Sequence, residues 1–239
     1  MEIILASNSS RRKNLLTMLN VPFSVMESGV DERVEEANYM QKGVEHTPYE
    51  WVRAIAAIKA EAVGNRVEGE KIIIAADTIV TYMGKILHRP FEREEAASML
   101  RTLSGHKHTV YTGLAVMYKD ADGKYETHTS VTATDVYMRE LTDMEISNYV
   151  DTKEPYDKAG GYGIQGKGSL LIDHIDGDYF NVVGLPLVKL YKELSDNGVN
   201  IIQLLYRDFN YFYVKYQRYK THNQYNNTET PAKTLTECA

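Results

Sequence analysis

The chain has 239 residues, 43% of them hydrophobic and 25% charged, with a formal net charge of −6. That is enough for a real core in one large α/β domain or two small ones, and the wrong overall sign for broad electrostatic binding to nucleic acid. No run approaches the length of a membrane span, the N-terminus lacks a basic-then-apolar leader, and the single cysteine, Cys238, cannot form an internal disulfide. The chain therefore reads as cytoplasmic, with neither membrane nor nucleic acid as partner.

Residues Glu2 to Ala6 form an apolar run that predicts a short buried strand. Ser9 or Ser10 then caps a helix through Leu15, Leu16 and Leu19, which recur at helical spacing. Pro22 to Met26 reads as a second strand. Thr47-Pro48-Tyr49-Glu50 carries the cap, the first-position proline and the acidic third position of a helix start, and that helix should end at Gly64. Lys71 to Ala76 predicts a buried central strand, Tyr82 to Lys85 a turn, and Glu92 to Leu103 an amphipathic helix. His108 to Lys119 and Tyr125 to Arg139 read as long strands joined by Asp120-Ala121-Asp122-Gly123. Thr142 to Val150 predicts a helix, Ser169 to Ile175 a strand and Pro186 to Leu194 a final helix. From about Ile201 the composition becomes Tyr- and Asn-rich, and from Thr221 it is polar and reads as disordered. The aromatic stretch reads as a peripheral packed segment; its acidic context disfavours RNA stacking.

Four short blocks carry the chemistry. In Leu5-Ala6-Ser7-Asn8-Ser9-Ser10-Arg11-Arg12 a strand runs into a helix start, where unpaired N–H groups and the positive dipole end favour an anion. Ser7, Ser9 and Ser10 are small hydroxyl donors, and the guanidinium forks of Arg11 and Arg12 match phosphate oxygens. The block could be a solvated basic turn, but two cations at a helix N-terminus are unfavourable unless an anion is present, and this favours a polyphosphate cradle. Asp77 is a lone carboxylate at the end of an apolar run, where open α/β sheets place ligands. It could bind a divalent cation, take a proton from water or merely cap the next turn. Thr78 beside it can bond a ligand; Lys59, Lys85 and Arg89 each read singly as surface charges. Gly161-x-Gly163-x-x-Gly166 matches the dinucleotide fingerprint literally, but it follows a helix and leads to a strand, the reverse of what that fingerprint needs. Its glycines instead suit a close approach to a flat ligand, with Gln165 facing a base edge. His106 and His108 have metal spacing but no third ligand, and read as a surface pair. Asp31 and Glu32 read as an exposed acidic pair that could also touch a metal.

In order along the chain stand Leu-Ala-Ser-x-Ser-x-Arg-Arg at 5–12, Ala-Asp-Thr at 76–78, Leu-Ser-Gly at 103–105, Tyr-Thr-Gly at 111–113, Asp-Lys-Ala-Gly-Gly-Tyr-Gly-Ile-Gln-Gly at 157–166, Asp-Gly-Asp at 176–178 and Val-Gly-Leu-Pro at 183–186. Across residues 2 to 195 the chain resembles the Maf-like nucleotide pyrophosphatases. Its Asp-Thr and Gly-Tyr-Gly-Ile-Gln-Gly stretches resemble the dTTP/UTP branch rather than the 7-methyl-GTP branch. The resemblance implies an elongated α/β fold of the Maf/ITPase-like type: a mixed β-sheet flanked by helices around a central substrate cleft. It implies a domain over 1–200 with an extension at 201–239, a homodimer, and Mg²⁺- or Mn²⁺-dependent hydrolysis of a nucleoside triphosphate to monophosphate and pyrophosphate. It places the proton acceptor on Asp77, the specificity positions on Arg11, Thr78 and Gln165, and other polar cleft positions on Ser7, Glu32, Lys59 and Arg89. Asp77 and Glu32 are then the candidate metal ligands, and Ser9, Arg11 and Arg12 the phosphate cradle. Two residues depart from the family pattern: Ser10 stands for the usual Pro and Arg89 for the usual Lys. The rival reading is a non-catalytic nucleotide-binding regulator of cell division or septum formation.

Overall fold

In a computed structural model of the chain, residues 2–32, 34–35, 38 and 47–202 are described. The chain divides into two compact units, Met1–Val199 and Asn200–Ala239. The expectations of a packed Tyr-rich segment and of a disordered end, like Cys238, fall outside the described residues, which stop at Ile202.

The first unit is built on a seven-stranded mixed sheet with the order β2-β1-β3-β5-β6-β7 and β4 paired to β3. The strands are β1 (Glu2–Leu5), β2 (Ser24–Val25), β3 (Lys71–Tyr82), β4 (Lys85–Leu87), β5 (Lys107–Lys119), β6 (Tyr125–Met138) and β7 (Ile172–Asp176). Among the described residues the helices include α1 (Ser10–Met18), α2 (Pro48–Gly64), α3 (Arg93–Leu103), α4 (Asp143–Asp151), α5 (Tyr179–Val183) and α6 (Leu187–Asp196), with short 3₁₀ turns at Glu154–Asp157, Ala159–Gly161 and Gly166–Leu171; Glu32, Val34, Glu35 and Asn38 are helical as well. Among the described residues no helix is long and apolar enough to cross a membrane.

The predicted start of α2 is realised in full. The Thr47 hydroxyl accepts the Glu50 N–H at 3.2 Å, and the Glu50 carboxylate accepts the Thr47 N–H at 3.0 Å, so two otherwise orphaned donors are satisfied reciprocally. Thr142 and Glu145 repeat the arrangement at the start of α4. The inner face of α2 buries Val52, Ile55, Ala56, Ala60 and Val63 completely. Gly113 lets α2 lie this close to β5: a Cβ there would sit 2.2 Å from the Val52 carbonyl oxygen.

The central strand is longer than its apolar run. β3 continues through Asp77 and Thr78 to Tyr82, pairing antiparallel with β5 from Lys71 to Thr81. Asp77 therefore stands inside a strand and not at its end, because polar side chains do not interrupt a backbone ladder. On its other edge, β3 pairs parallel with β1 as far as Ile74 and antiparallel with β4 only from Val80. The sheet is open between those two partners, beside Asp77 and Thr78 and at the carboxyl end of β1. The opening does lie at a strand end, but the strand is β1.

Other expectations are corrected. The predicted turn over Tyr82 to Lys85 closes a hairpin between β3 and the short β4, with Met83 and Gly84 at positive φ. Ser169 to Leu171 belong to a 3₁₀ turn, and the strand starts at Ile172. α5, capped by Asp178, is too short to show helical periodicity. His108 is not on the surface. It is 2% exposed, with Nε2 2.6 Å from the Tyr162 hydroxyl and its ring edge-on to the Tyr162 ring. His106 precedes β5 and remains exposed, so the two do not form a pair. Among the described residues there is no group of three or more metal-ligating His, Cys, Asp or Glu side chains.

Candidate active site

The chain leaves β1 at Leu5 and enters α1 at Ser10. Ser9 is the N-cap, its hydroxyl facing the Arg12 N–H at 3.5 Å. The Ser7 hydroxyl accepts from the Ser9 N–H and from Arg12, each at 3.2 Å. No acidic side chain occupies the first turn of α1, so its dipole and N–H groups are not neutralised from within the helix. Arg11 turns to the glycine block, donating to the Asp157 carboxylate at 2.7 Å and its carbonyl at 3.2 Å. Arg12 is spent on the protein: Nε donates to the Gly184 carbonyl at 2.8 Å, one terminal nitrogen to Ser7 and the other to the Thr78 hydroxyl at 3.1 Å. It ties α1, β3 and the segment after α5 together and is no free phosphate hook.

Lys59 is not a surface charge. It continues the buried stripe of α2 two turns beyond Trp51, at the spacing of Ile55 and Val63. Nζ donates to Asp77 Oδ1 at 2.7 Å and to Glu32 Oε1 at 2.5 Å. Lys59 and Asp77 are 6% and 5% exposed. Glu32 is half-buried, not exposed. Burial pushes its carboxyl up, but the Lys59 ammonium and its hydrogen bond, then Arg89, outweigh this and hold it down at about 2. Arg89 is exposed, 3.8 Å from the same carboxylate.

Thr78 faces the other way along a line of hydroxyls. Its Oγ1 is 2.9 Å from Thr112 Oγ1, which bonds the Asn181 carbonyl at 2.9 Å. The glycine block lies opposite: Gly161 ends one 3₁₀ turn, Gly166 starts another and residues 162–165 are irregular between them, so it is no strand-to-helix dinucleotide loop. Burial pushes Asp157 up, but hydrogen bonds from Lys158 and Arg11 hold it below the usual carboxylate range.

These elements enclose a cleft of about 750 Å³ lined by Ser7, Ser9, Arg11, Arg12, Glu32, Trp51, Lys59, Asp77, Thr78 and Arg89 among others. A smaller pocket of about 90 Å³ shares Ser9, Arg11, Arg12, Thr78, Arg89 and Asp157 and adds Tyr162, Gly163, Ile164 and Gln165. All the predicted site residues thus converge, with Gln165 set apart in the smaller pocket. Lys85 alone, a candidate cation, lines neither. Sequence reasoning assigned no role to Asp157, Thr112, Asn181 or the Gly184 carbonyl. Asp157, Thr112 and Gly184 carried a signal, since they stand in the motifs at 157–166, 111–113 and 183–186, whereas Asn181 stands in none of them.

The main cleft sets Arg11, Arg12, Lys59 and Arg89 against Glu27, Asp31, Glu32, Asp77 and Asp157. This near-balance leaves the cleft without an excess of positive side chains. Asp77 and Glu32 converge on one ammonium, and the Lys59 bridge leaves Asp77 Oδ2 and Glu32 Oε2 outside it. Two carboxylates beside an anion cradle suit Mg²⁺ or Mn²⁺ that keeps waters and phosphate oxygens as its other ligands, not an all-protein cage.

A mixed sheet flanked by helices, opened at the end of its first strand onto a cleft of paired carboxylates and cations, defines an α/β protein with a charged cleft. The chain belongs to the Maf-like protein family, whose description fits residues 2–197. A dTTP/UTP pyrophosphatase of Bacillus cytotoxicus is 47% identical over 201 residues, covering 83% of this chain and 98% of that protein. One of Bacillus anthracis is 45% identical over 200 residues, covering 84% and 97%. Among solved structures, the Staphylococcus aureus Ham1 protein matches with 16% identity and a TM-score of 0.34 over 72% of this chain and 80% of that one, too loose to carry an argument.

Proposed function

We propose that this chain hydrolyses dTTP and UTP to the monophosphate and pyrophosphate. The observation that carries the reading is the buried Lys59–Asp77 pair, completed by Glu32, at the sheet opening beside the α1 N-terminus. The names of its relatives, dTTP/UTP pyrophosphatases matched over nearly their whole length, supply the substrate.

In this reading the first-turn N–H groups of α1, Ser7, Ser9 and Arg11 hold the phosphates. Arg12 fixes the cradle from behind. Asp77 accepts the proton of a water whose oxygen bonds to the α-phosphorus as the α–β bridging P–O bond breaks, and pyrophosphate leaves. Lys59 and Arg89 offset charge that builds on the phosphates. Asp77 and Glu32 are the residues that would hold Mg²⁺ or Mn²⁺, which would supply positive charge against the phosphates. Thr78 and Gln165 read the base. A homodimer in the cytoplasm belongs to the same proposal.

Pyrophosphate release measured across dTTP, UTP, CTP and GTP, with Mg²⁺ or Mn²⁺, tests it. Release from dTTP and UTP above the others supports the reading. Tight binding without release would favour a nucleotide-sensing regulator, and a strong preference for 5-methyl or pseudouridine triphosphates would make modified nucleotides the substrate.

A further inference from the structure

The line of hydrogen bonds behind Thr78 has a fixed direction. Thr112 Oγ1 bonds the backbone carbonyl of Asn181 at 2.9 Å. A carbonyl only accepts, so the single hydroxyl hydrogen of Thr112 is committed there. The 2.9 Å contact between the two threonine hydroxyls must then be donated by Thr78. Arg12 reaches Thr78 Oγ1 at 3.1 Å, and a guanidinium only donates. Thr78 has thus given up its hydrogen and filled one lone pair. Both ends of the line are anchored. Thr112 and Asn181 are fully buried, and the Asn181 amide holds its own segment by donating to the Val110 carbonyl at 3.0 Å and Thr134 Oγ1 at 2.9 Å.

We infer that Thr112, with the Asn181 carbonyl, is a specificity-determining pair that acts through Thr78, locking its hydroxyl as an acceptor so that the site takes bases presenting a ring N–H. This rests on the proposed dTTP/UTP activity and deepens it. Uracil and thymine in a nucleotide have one donor on the base, the N3–H. Cytosine has a bare acceptor at N3. An acceptor-only hydroxyl in the cleft bonds the first pair and opposes the lone pair of the second, and leaving such a contact unmade is worth about 10-fold or more. Thr112 touches no substrate; it is a positioning residue.

The test is the ratio of kcat/KM for UTP to that for CTP in the wild type, Thr112→Val and Thr112→Ser, with folding checked by thermal unfolding. Valine frees the Thr78 hydrogen to turn toward the base, so the ratio should fall about 10-fold, whereas serine keeps the wiring and the ratio. The wild type should also discriminate against N3-methyl-UTP, an arm that needs no variant. A wild-type ratio near unity, or a folded Thr112→Val with the wild-type ratio, overturns the inference while leaving hydrolysis intact. If the wild type releases no pyrophosphate at all, the proposed activity falls. The Kd ratio for α,β-methylene UTP and CTP, read across the same proteins, then decides the wiring in its place.

Discussion

The ammonium of Lys59 lies 2.7 Å from the Asp77 carboxylate, and both side chains are almost fully enclosed. The lysine comes from the inner face of α2 and the aspartate from the middle of β3, so the packing of one helix on the sheet sets the distance. Removing the lysine leaves a carboxylate that is only 5% exposed without its nearest counter-charge. Lys59→Met is expected to lower unfolding free energy by about 3 kcal/mol or more, the scale for breaking a buried pair from one side. Urea denaturation checks this; a loss under about 0.5 kcal/mol, the size of an ordinary surface substitution, would mean that Asp77 does not depend on its partner.

Gly113 controls the same geometry from the other side. A methyl group there meets the Val52 carbonyl oxygen at 2.2 Å, the Val52 carbonyl carbon at 2.6 Å and the Arg53 nitrogen at 3.0 Å, all backbone. Since α2 must lift, Gly113→Ala should cost about 1–3 kcal/mol in stability and also reduce turnover, because Lys59 lifts with the helix. Turnover that survives at the wild-type level in the destabilised variant would separate the helix position from the site.

His108 gives stability a pH dependence. Burial drives its pKa down to about 4 from an ordinary 6.5, against weaker raising effects from the His106 backbone and Asp135. Below 6.5 the unfolded chain takes up a proton that the folded chain refuses, so stability is lost as pH falls through the window from 6.5 toward 4. Between pH 7 and pH 5 the wild type should lose about 2 kcal/mol more than His108→Gln. Urea midpoints at the two pH values read this directly, and parallel losses in the two proteins would contradict it.

Arg11 is held by Asp157 across the mouth of the cleft at 2.7 Å. Asp157→Asn removes a negative charge from a site proposed to take a polyanion and releases the guanidinium. KM for the nucleotide should fall about 3-fold or more at low ionic strength, and the gain should fade with added salt. Arg11→Gln should move KM the opposite way by about 10-fold, the scale of a lost charged hydrogen bond. Steady-state kinetics at two salt concentrations checks both directions.

The sequence showed helix starts well because capping chemistry is local: Thr47 with Glu50 and Thr142 with Glu145 are complete within four residues. It showed the outline of the site for the same reason, since Ser7 to Arg12 and Asp77-Thr78 are contiguous blocks. Long-range satisfaction was hidden. Arg12 looks like a phosphate ligand in isolation, and only the fold brings the Gly184 carbonyl and the Thr78 hydroxyl to it. His108 looked like a surface histidine because its partner, Tyr162, is far along the chain. Lys59 sits on the apolar stripe of Trp51, Ile55 and Val63, a burial signal that its charge outweighed.

The proposed reaction depends most directly on Asp77. Asp77→Asn keeps a side chain of nearly the same shape that can still meet Lys59 through its carbonyl oxygen, but it cannot take a proton from water. Single-turnover pyrophosphate release from dTTP should drop at least ~10²-fold, the scale of losing a positioned base, while the Kd for a non-hydrolysable dTTP analogue stays within a few-fold of wild type. Release at the wild-type rate from the folded variant would contradict the assignment of the base and, with it, the reading of the cleft.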